Sequence, residues 1–146
     1  SKLLVELKDS DITEEVVQQI DGAGMTDQCT LSSFTEECLS HAWKLCPELS
    51  RASFFVKPGV FSATEVIERL GVDMVIVWPQ AATPENISEA KRHGLHVRCG
   101  FRDDLTYDQA FAVVRDLAGM GVDEYSCGRP DWLGEMIEAI QAETDS

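Results

Sequence analysis

The opening stretch of the chain, Leu3 to Lys8, combines an apolar strand pattern with two charged side chains that could do chemistry. Glu6 and Lys8 are two residues apart, and because side chains alternate between the faces of a strand, both should lie on one face. Opposite charges on a buried strand are costly unless they are paired or used. The two residues therefore form either an ion pair facing water at a sheet edge, or a metal-binding carboxylate beside a phosphate-binding lysine.

The composition describes one ordinary globular domain spanning residues 1–146. The chain has 146 residues, of which 44% are apolar, and no apolar run is long enough to span a membrane. The net charge is −14, from 26 acidic and 12 basic residues, which argues against nucleic acid as a partner. The acidic excess fits a site that recruits a divalent cation, although surface carboxylates alone produce it equally well.

The cysteine pattern indicates free thiols rather than a metal site or a disulfide framework. The chain has five cysteines, an odd number, and none of them forms a C-x-x-C pair. Most of them lie in apolar segments, where they act as small core residues. Together with the lack of a signal-peptide pattern at the start of the chain, this predicts a reducing compartment, the cytoplasm.

Strand and helix patterns alternate along the whole chain, which predicts an α/β fold. The strands are predicted at Leu3–Leu7, Cys29–Leu31, Ala52–Val56, Met74–Trp78, His96–Cys99 and Glu124–Ser126. Residues with apolar spacing of three and four lie between them and predict helices. The helix starts carry capping-box spacing in three places, which are Ser33 to Glu36, Ser62 to Glu65 and Thr106 to Gln109.

The spacing of the strands is close to the repeat of a (β/α)₈ TIM barrel. Successive strands begin about 22 to 28 residues apart, and no nucleotide-binding glycine motif follows any of them. About six βα units are visible where a closed barrel needs eight, so we expect the first strands to precede Ser1. Six parallel strands alone leave two exposed edges, which a missing N-terminal barrel segment or another chain would cover.

Four short motifs, in order along the chain, resemble the glycerophosphodiester phosphodiesterase family. Val5-Glu6-Leu7-Lys8 is similar to the family's "iElK" strand, and Leu31-Ser32-Ser33-Phe34 to its Ser-Phe strand end. Gly94-Leu95-His96-Val97 resembles the "GlxV" before the penultimate strand. Gly121-Val122-Asp123 followed by Arg129-Pro130-Asp131-Trp132-Leu133 resembles the closing "GVDgiiTDrPdxL". The set spans almost the whole chain.

This resemblance implies a TIM-barrel enzyme that hydrolyses glycerophosphodiesters to glycerol 3-phosphate and an alcohol with a divalent cation, Mg²⁺ or Ca²⁺. It implies that Glu6 binds the metal and that Lys8 faces the phosphate as a catalytic residue. Phe34 and Phe101 would contact substrate, although the tryptophan wall of the family's pocket is here either lost or replaced by Phe101.

Two further residues are candidates for substrate binding on their own sequence context. Trp78 ends an apolar strand, where it either lines the barrel mouth or packs at the edge of the core. Arg129 precedes Pro130 at the start of a helix, a position that binds phosphate in many barrels, but it is equally typical of a surface residue.

The departures from the family concern the catalytic groups. The "HRG", "ExD" and "HD" motifs, which carry the two acid–base histidines and two metal carboxylates, are absent from these residues. The family's "WTvn" reads Cys99-Gly100-Phe101-Arg102 here, and its "TD" reads Cys127-Gly128. We therefore expect the chain alone to be inactive, with most metal ligands supplied from outside it.

Two other functions stay open at this point. A barrel remnant that acts as a non-catalytic binding or scaffolding module would explain the lost signatures. Another phosphate-handling (β/α)₈ enzyme would explain the architecture but not the ordered motifs.

Overall fold

The computed structural model describes residues 3–56, 59–101, 104–126 and 129–145. Six strands form one sheet: β1 (Leu3–Leu7), β2 (Cys29–Ser33), β3 (Ser50–Phe55), β4 (Met74–Val77), β5 (His96–Gly100) and β6 (Glu124–Ser126). Each predicted strand is found, with ends that move by two residues at most.

All strand pairs are parallel, and the order in the sheet is the order in the chain, β1-β2-β3-β4-β5-β6. Six helices connect and flank the strands: α1 (Thr13–Gly22), α2 (Glu36–Leu45), α3 (Ala63–Leu70), α4 (Pro84–Arg92), α5 (Tyr107–Met120) and α6 (Pro130–Asp145). The α/β prediction is confirmed.

The two faces of the sheet carry different side chains. One face is packed under the helices and holds buried apolar residues such as Leu31, Val75 and Val97. On the other face a cavity of about 340 Å³ is lined by residues from every strand, among them Leu4, Thr30, Ser50, Met74, His96 and Glu124. One small cavity can touch all six strands only if the sheet curls around it, so the fold is part of a TIM barrel.

Four of the five cysteines lie in the described residues, and all four are buried free thiols, as predicted. Cys29, Cys38 and Cys46 belong to one core cluster between β1, β2 and the helices that cover them. Burial raises the pKa of Cys99 to about 11. These thiols therefore act as small apolar core residues.

Two of the three predicted capping boxes begin helices. At α5 the hydroxyl of Thr106 and the side chain of Gln109 make both reciprocal bonds, and at α3 the hydroxyl of Ser62 accepts from the Glu65 N–H. The prediction for Ser33 is wrong, because α2 begins after Thr35. Ser33 ends β2 instead, and its buried hydroxyl donates to the Leu7 carbonyl at 3.0 Å.

A repeated Gly-Val-Asp segment precedes both β4 and β6. The carboxylate of Asp73 accepts from the Arg51 N–H at 3.0 Å, and that of Asp123 accepts from the Val97 N–H at 2.9 Å. Each aspartate thus ties the start of its own strand to the preceding strand. The side chain of Lys91 also donates to Asp123 at 2.7 Å.

These bonds make the contribution of Asp123 to stability dependent on pH. Partial burial opposes its ionisation, but the bonds from Lys91 and the Val97 N–H outweigh burial and lower the pKa of Asp123. Its contribution is therefore complete above the unfolded-state pKa of about 3.9 and is lost as pH falls through the lower folded-state pKa. Between pH 6 and pH 2, we expect the free energy of unfolding in urea to fall by about 1 kcal/mol more for the parent protein than for Asp123→Asn. Parallel pH curves for the two proteins would contradict this role, and Asp116→Asn, at an exposed position of α5, is the control.

Gly71 ends α3 in the left-handed region with a φ of 62°, directly beneath the ring of Trp43. An added Cβ would lie 2.5 Å from that ring. The buried guanidinium of Arg51 lies over the Trp43 ring, 5.5 Å from its centroid. It also donates a hydrogen bond to the Gly71 carbonyl at 2.6 Å. The three residues form one packed unit below α2 and α3.

Replacing Gly71 with alanine should lower the free energy of unfolding by about 2–4 kcal/mol, since it adds a steric clash to the left-handed backbone strain. Gly94→Ala is the matched control, because Gly94 also has a positive φ, 80°, but no atom lies within 4 Å of its added Cβ. It should cost only about 1–2 kcal/mol. Equal losses in urea denaturation would show that the Trp43 contact is unimportant.

Candidate functional site

The carboxyl ends of β1, β2 and β4 carry four of the six residues that the sequence predicts for the site. In a parallel sheet these strand ends lie at one edge, where barrel enzymes build their active sites. Glu6 lies in β1 with Lys8 just beyond it, and Phe34 and Trp78 directly follow β2 and β4.

Glu6 and Lys8 are brought together, as their spacing predicts. The Lys8 Nζ lies 3.8 Å from the Glu6 Oε2, with the lysine side chain 86% and the glutamate side chain 35% exposed. An exposed pair at this distance contributes at most about 1 kcal/mol to stability. Both charges therefore stay accessible to a ligand at a small cost in stability.

Phe34 and Trp78 meet in an aromatic cluster with a third ring, Phe54. The rings of Phe34 and Phe54 stack with centroids 3.9 Å apart, and the ring of Trp78 meets Phe34 edge-on at 5.6 Å. Phe34 and Trp78 remain 52% and 41% exposed. The cluster is an open apolar surface beside the strand ends.

Sequence reasoning did not single out Phe54, because its contact with Phe34 depends on the register between β2 and β3. Phe54 is two residues after Ala52 in β3, and Ala52 pairs in register with Ser32 of β2. Phe34 lies two residues after Ser32, and Phe54 lies two residues after Ala52, so both should lie on the same face as that pair. Strand alternation combined with parallel register identifies this pair.

The structure does not bring Phe101 into this cluster. Phe101 follows β5 and packs against Ala110, Val114 and Met136, which form a separate core cluster under α5 and α6. Its backbone N–H also donates to the Ser126 carbonyl at 3.2 Å. Its placement supports a role in packing these helices.

Arg129, which precedes α6, is engaged by two neighbours in the same segment. Its Nη2 lies 3.0 Å from the Asp131 Oδ2, and its guanidinium lies 4.1 Å from the centroid of the Trp132 ring. The hydrogen bond from Arg129 lowers the pKa of Asp131. A phosphate would have to compete with Asp131 for this guanidinium. The neighbouring Arg102, Cys127 and Gly128 lie outside the described residues.

Polar groups also gather on the curled face of β5 and β6. The His96 Nε2 lies 3.0 Å from the Glu124 Oε1, and the Arg98 Nη1 lies 3.4 Å from the Glu124 Oε2. The Arg98 Nε also donates to the Ser126 hydroxyl at 2.5 Å. His96 thus belongs to an ionic network on the curled face of β5 and β6, formed with Arg98 and Glu124.

Glu6 offers one carboxylate to a hard divalent cation. Over residues 3–56, 59–101, 104–126 and 129–145 no group of three His, Cys, Asp or Glu side chains could hold a metal ion. Ser32 pairs in register with Glu6, is fully buried, and its hydroxyl has no partner among those residues. Carboxylate and neutral oxygen groups fit Mg²⁺ or Ca²⁺, and a complete site needs further ligands.

The fold is that of known glycerophosphodiester phosphodiesterases. A Silicibacter pomeroyi protein assigned to this activity superposes with a TM-score of 0.81 at 18% identity, over 96% of this chain and 51% of its own. The Parabacteroides distasonis enzyme gives 0.78 at 19% identity, over 98% of this chain and 58% of its own. A phosphodiesterase from Oleispira antarctica, solved in complex with sn-glycerol-3-phosphate, gives 0.72 at 21% identity, over 94% and 55%.

These likenesses confirm the predicted resemblance at the level of the fold. The chain spans about half the length of the structures that it matches, between 51% and 58% for the three above. No family profile and no curated protein matches the sequence. None of the described helices is long and apolar enough to cross a membrane.

The stacked rings of Phe34 and Phe54 should be energetically coupled. In a double-mutant cycle, Phe34→Ala and Phe54→Ala should show an interaction energy of about 0.5–1.5 kcal/mol, typical of an aromatic pair. Phe34→Ala combined with Phe111→Ala is the control, because Phe111 packs in the separate cluster under α5 and α6. If urea unfolding gave additive losses for both pairs, the rings would not form a unit in solution.

Proposed function

We propose that this chain forms part of a phosphoric diester hydrolase that cleaves glycerophosphodiesters to glycerol 3-phosphate and an alcohol. The observation that carries the proposal is the position of Glu6 and Lys8. They lie together at the carboxyl end of β1, in a partial barrel whose fold matches that of glycerophosphodiester phosphodiesterases over nearly all of its length.

The roles of the residues follow from their charge and position. The Glu6 carboxylate is a ligand for Mg²⁺ or Ca²⁺, which when bound would draw negative charge from the phosphate. The Lys8 ammonium, largely exposed beside it, attracts the anionic diester and holds a phosphate oxygen. The rings of Phe34 and Trp78 offer an apolar surface for the carbon part of the substrate.

The hydrolysis needs groups that the described residues do not bring to Glu6. Water adds to phosphorus, the bond from phosphorus to the alcohol oxygen breaks, and a proton must reach that oxygen. The acid and base, the remaining metal ligands and the strands that close the barrel are proposed to come from a further polypeptide segment. That segment would also cover the free edges of β1 and β6.

Phe101 and Arg129 have a smaller part in the proposal than their sequence motifs suggest. Phe101 packs under α5 and α6, and Arg129 is paired with Asp131, so the substrate contacts assigned to them require rearrangement. A cytoplasmic location is part of the proposal, since four buried free thiols suit a reducing compartment.

A non-catalytic binding module is the second candidate. The observation that favours it is that no group of three potential metal-binding side chains is found in the described parts of the chain. Such a module would keep the phosphate-binding and apolar surfaces of Lys8, Phe34 and Trp78 without turnover.

The test is hydrolysis of glycerophosphocholine by the complete natural protein that carries this chain, with and without EDTA. We expect activity that EDTA removes and that Mg²⁺ or Ca²⁺ restores. Glu6→Gln should lower kcat/KM at least about tenfold, because it removes a charged metal ligand while preserving size. The 146-residue chain alone should release no glycerol 3-phosphate.

Glu138→Gln, at an exposed position of α6, is the matched control and should retain full activity. Hydrolysis that is insensitive both to EDTA and to Glu6→Gln would contradict the proposed role of Glu6. Binding of glycerol 3-phosphate without any turnover by the complete protein would establish the binding module instead.

A further inference from the structure

Ser32 presents an unexplained hydroxyl next to Glu6. The side chain is fully buried, and its Oγ has no hydrogen-bond partner among the described residues. A buried hydroxyl without a partner is destabilising, and native proteins seldom keep one without a ligand, water or ion to satisfy it. A water, an ion or a group outside the described residues can satisfy this hydroxyl.

The register of the sheet shows where that partner would lie. Ser32 of β2 pairs directly with Glu6 of β1, and neighbouring strands are about 4.8 Å apart. The flanking Leu31 and Ser33 lie on the opposite face, where Leu31 is in the core and Ser33 bonds to the Leu7 carbonyl. Ser32 and Glu6 thus share the curled face of the sheet.

Packing does not require a hydroxyl at this position. The residue that pairs with Ser32 on its other side is Ala52 of β3, which is also fully buried. A small apolar side chain is therefore accommodated at this level of the sheet, and alanine at position 32 would leave no unsatisfied oxygen.

We propose that the Ser32 hydroxyl is a second oxygen group for the divalent cation at Glu6, contacting the ion directly or through one of its bound waters. The inference rests on the proposed function, because it takes Glu6 as a metal ligand. A serine hydroxyl beside a carboxylate is a known arrangement for Mg²⁺ in proteins. In the register of the sheet, Ser32 pairs with Glu6, the proposed metal ligand. Lys8, which is expected to face the phosphate, lies two residues further along the chain.

The experiment uses the complete natural protein that carries this chain, because the proposed site takes further ligands from outside these residues. It follows the binding of Mn²⁺, a paramagnetic probe, by the broadening of backbone amide NMR signals around residues 6 and 32. Reversal by EDTA separates bound ion from damage. We expect Ser32→Ala to weaken Mn²⁺ binding at this position about three- to tenfold, and Glu6→Gln to abolish it. Local broadening distinguishes this position from ions scattered over the acidic surface.

Ser33→Ala is the matched control, because it removes the hydroxyl of the adjacent buried serine, which is already satisfied by the Leu7 carbonyl and the Thr35 N–H. It should leave Mn²⁺ affinity within about twofold of the parent but lower the urea midpoint, since it breaks buried hydrogen bonds. Ser32→Ala should show the opposite pattern. It should weaken Mn²⁺ binding, and in the absence of Mn²⁺ its urea midpoint should equal or exceed that of the parent.

The outcomes separate this inference from the proposed function. If Glu6→Gln abolishes local broadening and Ser32→Ala does not change it, the role of Ser32 is wrong and Glu6 remains a ligand. If neither variant changes the broadening, both are wrong. A lower urea midpoint for Ser32→Ala without Mn²⁺, or an effect on glycerol 3-phosphate binding instead of on Mn²⁺, would also overturn the role proposed for Ser32.

Discussion

The alternation of side chains between the two faces of a parallel strand is the constraint on which this structure depends. Each strand pairs only with its neighbours along the chain, so all six strands must turn the same kind of residue toward the helices. Leu31, Val75 and Val97 meet that requirement on the helix face. The alternate residues of each strand point to the opposite face, away from the helices. They include Glu6, Ser32 and the charged network around Arg98.

Much of the fold could be predicted because its signals are local. Apolar runs, glycines after helices and capping residues mark almost every boundary, and the alternation of strand and helix defines the fold class. The prediction that Ser33 caps a helix was wrong because the residues next to a helix-starting serine and next to a strand-ending serine can be the same. The bond from Ser33 to Leu7, 26 residues away in sequence, decides between them.

The candidate site was predictable only in part, because its contacts depend on register between strands. The spacing of Glu6 and Lys8 within one strand is local, and their proximity was foreseen. The stack of Phe34 on Phe54 and the pairing of Ser32 with Glu6 join different strands, and no single-strand pattern contains them. Phe101 shows the converse, since its motif position says nothing about the helices that it packs against.

The aspartates that fasten the strands, Asp73 and Asp123, act at the amino ends of β4 and β6, whereas the predicted ligands lie at the carboxyl ends of β1, β2 and β4. Mutations at one end therefore leave the fastening contacts at the other intact. Such spatial separation makes the fold tolerant of substitutions at its ligand end.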